Sequence, residues 1–369
     1  MNTYKNTSES WIPPFCPNPK CFHHNDPGDS WPVKRIGNFR RQNPPFCVQR
    51  FLCKACKKSF STQTFEQSYW QKRPDLDAKI IMKTVGGMAN RQIARDLKVT
   101  PETINRHIAR LGRHCLLFHK EQMRNAPPVK VVVVDGFESF ELSQYHPIHH
   151  HVAVEKETDF FVYFTDSELR RKGRMTAPQK KRRQELELLL GRPDPKAIEK
   201  DMLELLEVSL GDQHGALVHS DAHPAYLRSI KRLNVNVDHQ VTPGSHHRDS
   251  RNSLWEVNLL DRIIRHCNAN HRRETIAWSK RRQASAERLA ILLVWRNYMK
   301  GRREKERGSP TPAMERGMMG DPLEIEVLLE KRLFKSRIDL PPRWSQYYNR
   351  TVRTRGIERE RHHELKYAY

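Results

Sequence analysis

The chain has 369 residues, 37% of them hydrophobic, and carries a formal net charge of +23 with a pI near 9.9. It has no apolar run of about 18 residues, which argues against a membrane span, and its polar N-terminus lacks the apolar core of a secretory signal. The expected compartment is therefore the cytoplasm, and the basic excess points to a polyanionic partner, nucleic acid before an anionic membrane surface.

As a prior, the length suggests two to three domains. Residues 1–14 read as a disordered lead. Residues 15–66 hold five of the seven cysteines. Clustered cysteines in a cytosolic chain point to metal rather than disulfides. Cys16-x₄-Cys21 and Cys53-x₂-Cys56 flank a 31-residue insert, and four thiolates so arranged suit a closed, tetrahedral, structural Zn²⁺ site of zinc-ribbon type. The second knuckle, set in Arg50–Phe60 among aromatic and basic residues, is the stronger signal. The first is looser, which leaves Cys47, His23 or His24 as replacement ligands. Basic residues on the ribbon are expected to contact phosphates.

Residues 75–118 have helical periodicity, with Ile80, Ile81, Val85, Ile93, Leu97, Ile104, Ile108 and Leu111 on the apolar face. Within them Asn90 to Ile108 form a helix-turn-helix pattern. Thr100 is the expected N-cap, with Pro101 at the first helical position. The second helix turns Thr103, Asn105, Arg106 and Arg110 outward, and Arg91 sits on the first. Asn and Arg read adenine and guanine edges in the major groove. The plainer alternative is a helical hairpin in a small core.

After Pro127-Pro128 come strand-like segments at 129–135, 148–156 and 159–165, the last two joined by a turn as in a meander. A charged helical insert spans 170–212, split at Gly191-Arg192-Pro193, with Leu186, Leu188, Leu189, Leu190, Met202, Leu203, Leu205 and Leu206 as expected packing positions. A strand at 216–221, a helix from Pro224 to Leu233, a short strand at 235–238 and helices from Asn252 and Ala284 complete a core over 129–300. Residues 301–369 read as a basic, irregular, partly disordered tail.

The chemistry lies in the acids. Asp135 ends the run Val131–Val134 and Asp221 ends Ala216–Ser220, so both sit at the rim of a sheet. Gly136 permits close approach beside the first. A third carboxylate on the following helix would complete a site for Mg²⁺ or Mn²⁺, hard cations that take oxygen ligands. Glu256 and Asp261 both qualify. Five residues apart they point about 140° from each other, so one of them faces the metals. Asn258, Asp261, Arg262 and Arg265 share a helix face that offers a ligand together with amide and guanidinium groups for phosphates. His219, His239, His246 and His247 are expected to face substrate or solvent.

Ribbon, helix-turn-helix and acidic triad, in that order from residue 15 to 300, resemble the DDE/D transposases of bacterial insertion sequences that carry an N-terminal zinc ribbon. The strings that carry the likeness are Arg50–Phe60, Val131–Gly136, Val218–Asp221, Asn258–Arg265 and His271-Arg272-Arg273-Glu274-Thr275. The resemblance implies a multidomain α/β chain whose catalytic core is an RNase H-like mixed sheet. It also implies two active-site Mg²⁺ ions, binding to the terminal inverted repeats of the element and to target DNA, and a homo-oligomer on double-stranded DNA at the nucleoid. Two features depart from the usual pattern: the 85-residue gap between the first two aspartates, and a third acid that fits by spacing at Glu256 and by local motif at Asp261. The expected activity is metal-dependent DNA cleavage and strand transfer. The rival is a DNA-binding regulator over an inactive core. An RNA-processing nuclease would share the chemistry but has no use for a recognition helix, which A-form major grooves do not admit.

Overall fold

A computed structural model describes residues 11–28, 31–42 and 45–358. The expected disordered lead up to residue 10, and the tail from 359 on, lie outside the described residues. The described residues divide into two compact units, one built on residues 11–74 and 326–339, the other on 75–325 and 340–358.

The first unit holds an antiparallel sheet of β1 (Val33–Arg40), β2 (Cys47–Cys53) and β3 (Ser59–Ser61) in that order. So small a unit has few apolar side chains to bury, and its core is Cys16, Cys21, Phe51, Cys53 and Phe60, with Trp11, Trp31 and Phe65 packed around them. Part of the expected tail belongs here: the Phe334 ring lies 5.1 Å from that of Phe15, and Ser336 Oγ bonds His24 Nε2 at 2.8 Å.

The second unit opens with α1 (Asp77–Val85), α2 (Asn90–Asp96) and α3 (Pro101–Gln122). Thr103 N donates to Thr100 Oγ1 at 3.2 Å, and Pro101 starts α3 without a wasted N–H. Ile80, Ile81, Val85, Ile93, Ile104, Ile108 and Leu111 are buried, and His107 Nδ1 bonds Asp77 Oδ1 at 2.5 Å. These helices were expected as a domain of their own over 75–118, but they share a compact unit with the sheet. The reason lies in the second half of α3. Leu111, Cys115, Leu116 and Leu117 continue its apolar face, and Gly112 lets it lie directly on α8 (Arg282–Val294), where a Cβ would stand 2.5 Å from the Glu287 carbonyl oxygen.

The sheet comprises β4 (Val131–Phe140), β5 (Pro147–Glu155), β6 (Phe161–Glu168), β7 (Ala216–Asp221) and β8 (Val237–Thr242), ordered β6-β5-β4-β7-β8. The first three pair antiparallel as the expected meander; β7 and β8 add parallel to β4. This five-stranded mixed sheet is consistent with the expected RNase H-like core. Between β6 and β7 run α4 (Ala177–Leu190) and α5 (Ala197–Leu210), split as expected around Gly191, and after β7 and β8 come α6 (Pro224–Ile230) and α7 (Trp255–Cys267).

Successive strand residues face opposite sides of a sheet, and β6 shows which helix covers which side. Thr165 and Ser167 hydrogen-bond Asp201 on α5, whereas Asp166 between them bonds Arg282 on α8. Met202, Leu205 and Leu206 of the insert are buried, but Leu188 and Leu189, expected to pack, are 88% and 78% exposed. α5 is thus part of the core, and α4 buries none of its residues.

Asp166 is fully buried. It accepts from Arg282 Nε at 2.6 Å, Arg282 Nη2 at 2.9 Å and the Tyr347 hydroxyl at 2.6 Å. Tyr347 and Trp344 come from a helix at Pro342–Asn349, and Trp344 Nε1 donates to the Phe164 carbonyl at 3.0 Å. The segment expected as irregular tail therefore supplies buried aromatics to the sheet domain, because its aromatic residues meet both a polar partner and the edge strand. Burial opposes ionisation of Asp166, but the Arg282 guanidinium outweighs it and holds the carboxyl below its ordinary range. A carboxyl depressed in the folded state contributes stability that is present above its unfolded pKa and lost on acidification. Asp166→Asn, which removes the buried anion bound to two nitrogens of Arg282 and leaves it only the half-buried Glu168, is expected to cost about 3 kcal/mol in urea unfolding at pH 7. The deficit should shrink as the pH falls below about 4, and a loss that is independent of pH would rule out the ion pair as its source.

Candidate active site and cysteine centre

The β4–β7 ladder sets the site. Val131, Val132 and Val133 pair in parallel register with Leu217, Val218 and His219. Asp135 and Asp221 each lie two residues beyond the last pair, so they occupy equivalent places on neighbouring strands, where the ladder ends. Asp135 was expected at the end of its strand. Instead β4 runs on to Phe140, paired only with β5. The effective rim is the point where β4 and β7 separate, and strand ends at such a divergence are where α/β sheets place ligands. Gly136 N donates to Asp135 Oδ1 at 2.7 Å and His223 N to Asp221 Oδ1 at 2.9 Å, so each carboxylate is oriented by backbone.

The third acid brought to this place is Asp261. Burial, then the charges of Asp261 and Asp221, raise the Asp135 carboxyl to about 7 against the Gly136 N–H. Burial likewise raises Asp261 to about 6, opposed by Arg265 and Arg248. Glu256 lies elsewhere: the charges that act on it are those of Lys156, Asp159 and Arg302. The five-residue offset on α7 has turned it off the face that Asp261 presents to β4. Asp261 Oδ1 is buried without a hydrogen-bond partner. Three carboxylates, two of which raise the proton affinity of Asp135 and one of which has an unengaged buried oxygen, form a hard, oxygen-only donor set that fits a divalent cation such as Mg²⁺ or Mn²⁺.

Around the acids the side chains separate by role. Arg265 stacks over the Phe137 ring at 5.4 Å, donates to the His271 carbonyl at 3.3 Å and acts on Asp261. Arg262 instead lies over Trp255 at 4.7 Å and bonds the Asn258 carbonyl, on its own helix. Asn258 bonds the Leu254 carbonyl, so the amide expected beside Asp261 is engaged with its own backbone. His219 is buried and pushed down to about 4 by burial; His239 bonds Ser220 Oγ at 2.9 Å; His246 and His247 are exposed. Two neighbours were not singled out from sequence. Arg248, in the loop after β8, acts on both Asp135 and Asp261, and Tyr226 on α6 senses all three acids. The spacing of Tyr226 five residues after Asp221, in the first turn of α6, was the available signal.

In the first unit, Cys16, Cys21, Cys53 and Cys56 place their sulfurs within 4.8 Å of one another. Cys16 and Cys56 Sγ are 3.6 Å apart and Cys21 and Cys53 Sγ 3.9 Å. Sulfurs at the corners of a tetrahedral ZnS₄ site stand about 3.8 Å apart, so the cluster fits Zn²⁺. The alternative ligands are placed otherwise: Cys47 is exposed, His24 Nδ1 bonds the Cys16 carbonyl at 2.7 Å, and His23 Nδ1 meets the Pro27 carbonyl at 3.2 Å. Burial raises the Cys53 thiol, but the Trp31 indole N–H at 3.4 Å and the Cys56 and Ala55 backbone amides outweigh it and bring Cys53 down to about 6.

On α2 and α3, Arg91, Asn105 and Arg106 are exposed and Thr103 and Arg110 half-buried. Arg106 pairs with Glu102 at 2.9 Å, and Asn105 accepts from Asn90 Nδ2 at 2.6 Å. Asn90 in turn accepts from Arg288 of α8, so the outer face of α3 is tied to the core helix behind it.

Two outcomes follow from this geometry. A carboxyl raised in the folded state costs stability as the pH climbs from its unfolded to its folded value, here from about 4 to 7. Metal-free Asp135→Asn should therefore melt roughly 2–4 °C above the parent at pH 8 and lose that advantage near pH 4, with Mg²⁺ raising the melting temperature of the parent alone. Equal melting of the two proteins at both pH values would mean that folding does not raise the Asp135 carboxyl. In the cysteine centre, Cys53→Ser should lose about one equivalent of zinc by elemental analysis while Cys47→Ser keeps it; zinc retained by Cys53→Ser would remove the site.

No protein-family model matches this chain, and no curated protein matches it. Among solved structures it is similar to a chain of the simian T-cell lymphotropic virus intasome in complex with the PP2A regulatory subunit B56 gamma, at 12% identity and a TM-score of 0.27, covering 55% of this chain and 59% of that one. It is also similar to the catalytic domain of the Mos1 mariner transposase, at 15% identity and a TM-score of 0.19, covering 43% of this chain and 72% of that one.

Proposed function

We propose that this chain is a metal-dependent polynucleotidyl transferase that cuts and joins DNA, acting as the transposase of an insertion sequence. The observation that carries the reading is the placement of Asp135 and Asp221 at equivalent positions on two parallel strands, with Asp261 brought to them from α7. Asp135, Asp221 and Asp261 would hold the metals. Divalent cations held there would supply Lewis-acid stabilisation of the charge that develops on a phosphodiester under attack. The Gly136 and His223 amides keep the first two carboxylates turned to the site. Arg265 and Arg248, the cations that act on the acids, would hold the scissile phosphate. Water or a 3′-hydroxyl is the nucleophile, and no covalent protein intermediate is required.

The net charge of +23 supports a double-stranded DNA partner. Arg91, Thr103, Asn105, Arg106 and Arg110 on α2 and α3 would read the terminal inverted repeats as a helix-turn-helix, and a homo-oligomer would pair two ends with target DNA. Zn²⁺ on the four cysteines would be structural.

Incubating the purified protein with labelled DNA from the flanks of its own gene, with Mg²⁺ or Mn²⁺, tests this directly. The expected outcome is metal-dependent nicking at a discrete position, reduced at least about 100-fold in Asp135→Asn and in Asp261→Asn and kept by Glu256→Gln. Specific binding with no cleavage under either metal would leave a DNA-binding regulator in place of the enzyme.

A further inference from the structure

We propose that the basic stretch leading into α4, residues 170–183, is a further DNA-binding surface, one that holds duplex DNA by its phosphates and is separate from α2 and α3. The inference rests on double-stranded DNA being the partner of this chain.

Residues 170–183 hold eight lysines and arginines and no acid, whereas residues 184–212 hold eight acids and three cations. A helical face that meets only water interleaves the two signs at i, i+4 spacing. Here they are segregated, and the fold directs most of the acids elsewhere. Asp201 pairs with Arg343, and Glu204 accepts from the Tyr163 hydroxyl. Glu199 takes Arg228 and Arg232 of α6. Glu168, just ahead of the stretch, is taken by Arg282 and Arg355. Two acids do reach back. Glu185 takes Arg182 at 3.1 Å, and Glu187 alone serves three guanidiniums, Arg170 at 2.7 Å, Arg192 at 3.0 Å and Arg183 at 3.4 Å. Lys172, Arg174, Lys180 and Lys181 are exposed and pair with no carboxylate among the described residues.

Neither core packing nor helix stability accounts for these four. α4 buries none of its residues, and its first turn carries no acid. Lysines set just beyond that turn add to the positive end of the helix dipole instead of opposing it. The result is a field of one sign over an exposed helix and the loop that enters it. Its complement is a polyanion with closely and regularly spaced charges, and duplex DNA carries one phosphate charge per about 1.7 Å of its axis. Lysine is a compact point charge without the rigid fork that reads a base edge, so contacts of this kind supply affinity and not sequence choice. That division of labour fits a chain whose base-reading side chains are proposed to lie on α2 and α3.

The test is binding of the full chain to short fluorescent duplexes of flank and scrambled sequence, without divalent metal, over a series of NaCl concentrations. One variant combines Lys172→Gln, Arg174→Gln, Lys180→Gln and Lys181→Gln. It is expected to melt with the parent, since all four side chains are exposed. Its slope of log binding constant against log salt should be shallower by about 3–4, close to one per cation removed. Affinity at low salt should drop at least about 10-fold, equally for both sequences. A second variant removes four exposed cations elsewhere in the same unit, Lys196, Lys231, Lys305 and Arg307, and should change the slope by less than about 1. In the unaltered chain, duplex DNA should protect Lys172, Lys180 and Lys181 from acetylation, read by mass spectrometry, which does not depend on how any variant folds. A parental slope in the first variant, an equal loss in both variants, or unchanged acetylation with duplex present would each overturn the surface. Protection by anionic lipid vesicles but not by duplex would assign it to a membrane instead. If the parent binds no duplex, the DNA reading fails and the surface with it. If it binds but does not nick flank DNA with Mn²⁺, the transferase reading fails and the slope alone judges the surface.

Discussion

The parallel pairing of β4 with β7 is the constraint on which the rest of the sheet domain depends. It sets two aspartates on adjacent strands, two residues past the last shared register position. Neighbouring strands run about 4.8 Å apart, so two ionised carboxylates there repel each other across a short, partly desolvated gap. Adding Asp261 from α7 makes the arrangement costlier. A chain gains nothing in stability from such a cluster, and a divalent cation is the simplest agent that would turn the repulsion into attraction.

That cost has to be met by the scaffold. On the edge strand β6, Asp166 and Arg282 form a buried, doubly hydrogen-bonded pair that also takes in Tyr347, and Glu168 extends it to Arg282 and Arg355. Every member has a partner, which is the condition under which buried charges are tolerated. The pair links β6, α8 and the helix at Pro342–Asn349. α8 is in turn gripped by α3 at Gly112 and by Asn90 through Arg288. The face of α3 that would read DNA and the strands that carry the acids are therefore parts of one packed body. Under the proposed function, DNA seated on α3 would meet a site whose position is already set.

The cysteine centre solves a different problem. Its unit has too few large apolar side chains to hold three short strands together by burial alone, and four sulfurs at near-tetrahedral spacing offer a cross-link in place of a larger core. The Trp31 indole and two amides bring the Cys53 thiol down to about 6, whereas burial pushes Cys16 and Cys21 up, so a bound cation would be what holds those two as thiolates.

Much of this was legible in the sequence. Local patterns carry their own physics: the β-branched run ending at Asp135, the Thr100-Pro101 cap, the cysteine knuckles and the strand at Ala216–Asp221 each name a backbone conformation or a ligand type without reference to the rest of the chain. What failed depended on partners distant in sequence. Leu188 and Leu189 read as core because they are apolar, yet they lie on the solvent side of α4, whose contacts run through Glu187 and Leu190 instead. Trp344 and Tyr347 read as tail because charge surrounds them, yet β6 offers them a carbonyl and a carboxylate. Asp261 and Glu256 could not be told apart by spacing or motif, since both lie on α7. Only the rotation of that helix against β4 turns Asp261 toward Asp135 and leaves Glu256 beside Lys156. The same holds for His149 and Tyr226, 77 residues apart and joined by one hydrogen bond. The sequence by itself determined the residue types, the local elements and the charge, because these follow from side-chain chemistry over a few neighbours. Which side chains share a site was decided by tertiary structure, because register and helix rotation come from packing over the whole domain.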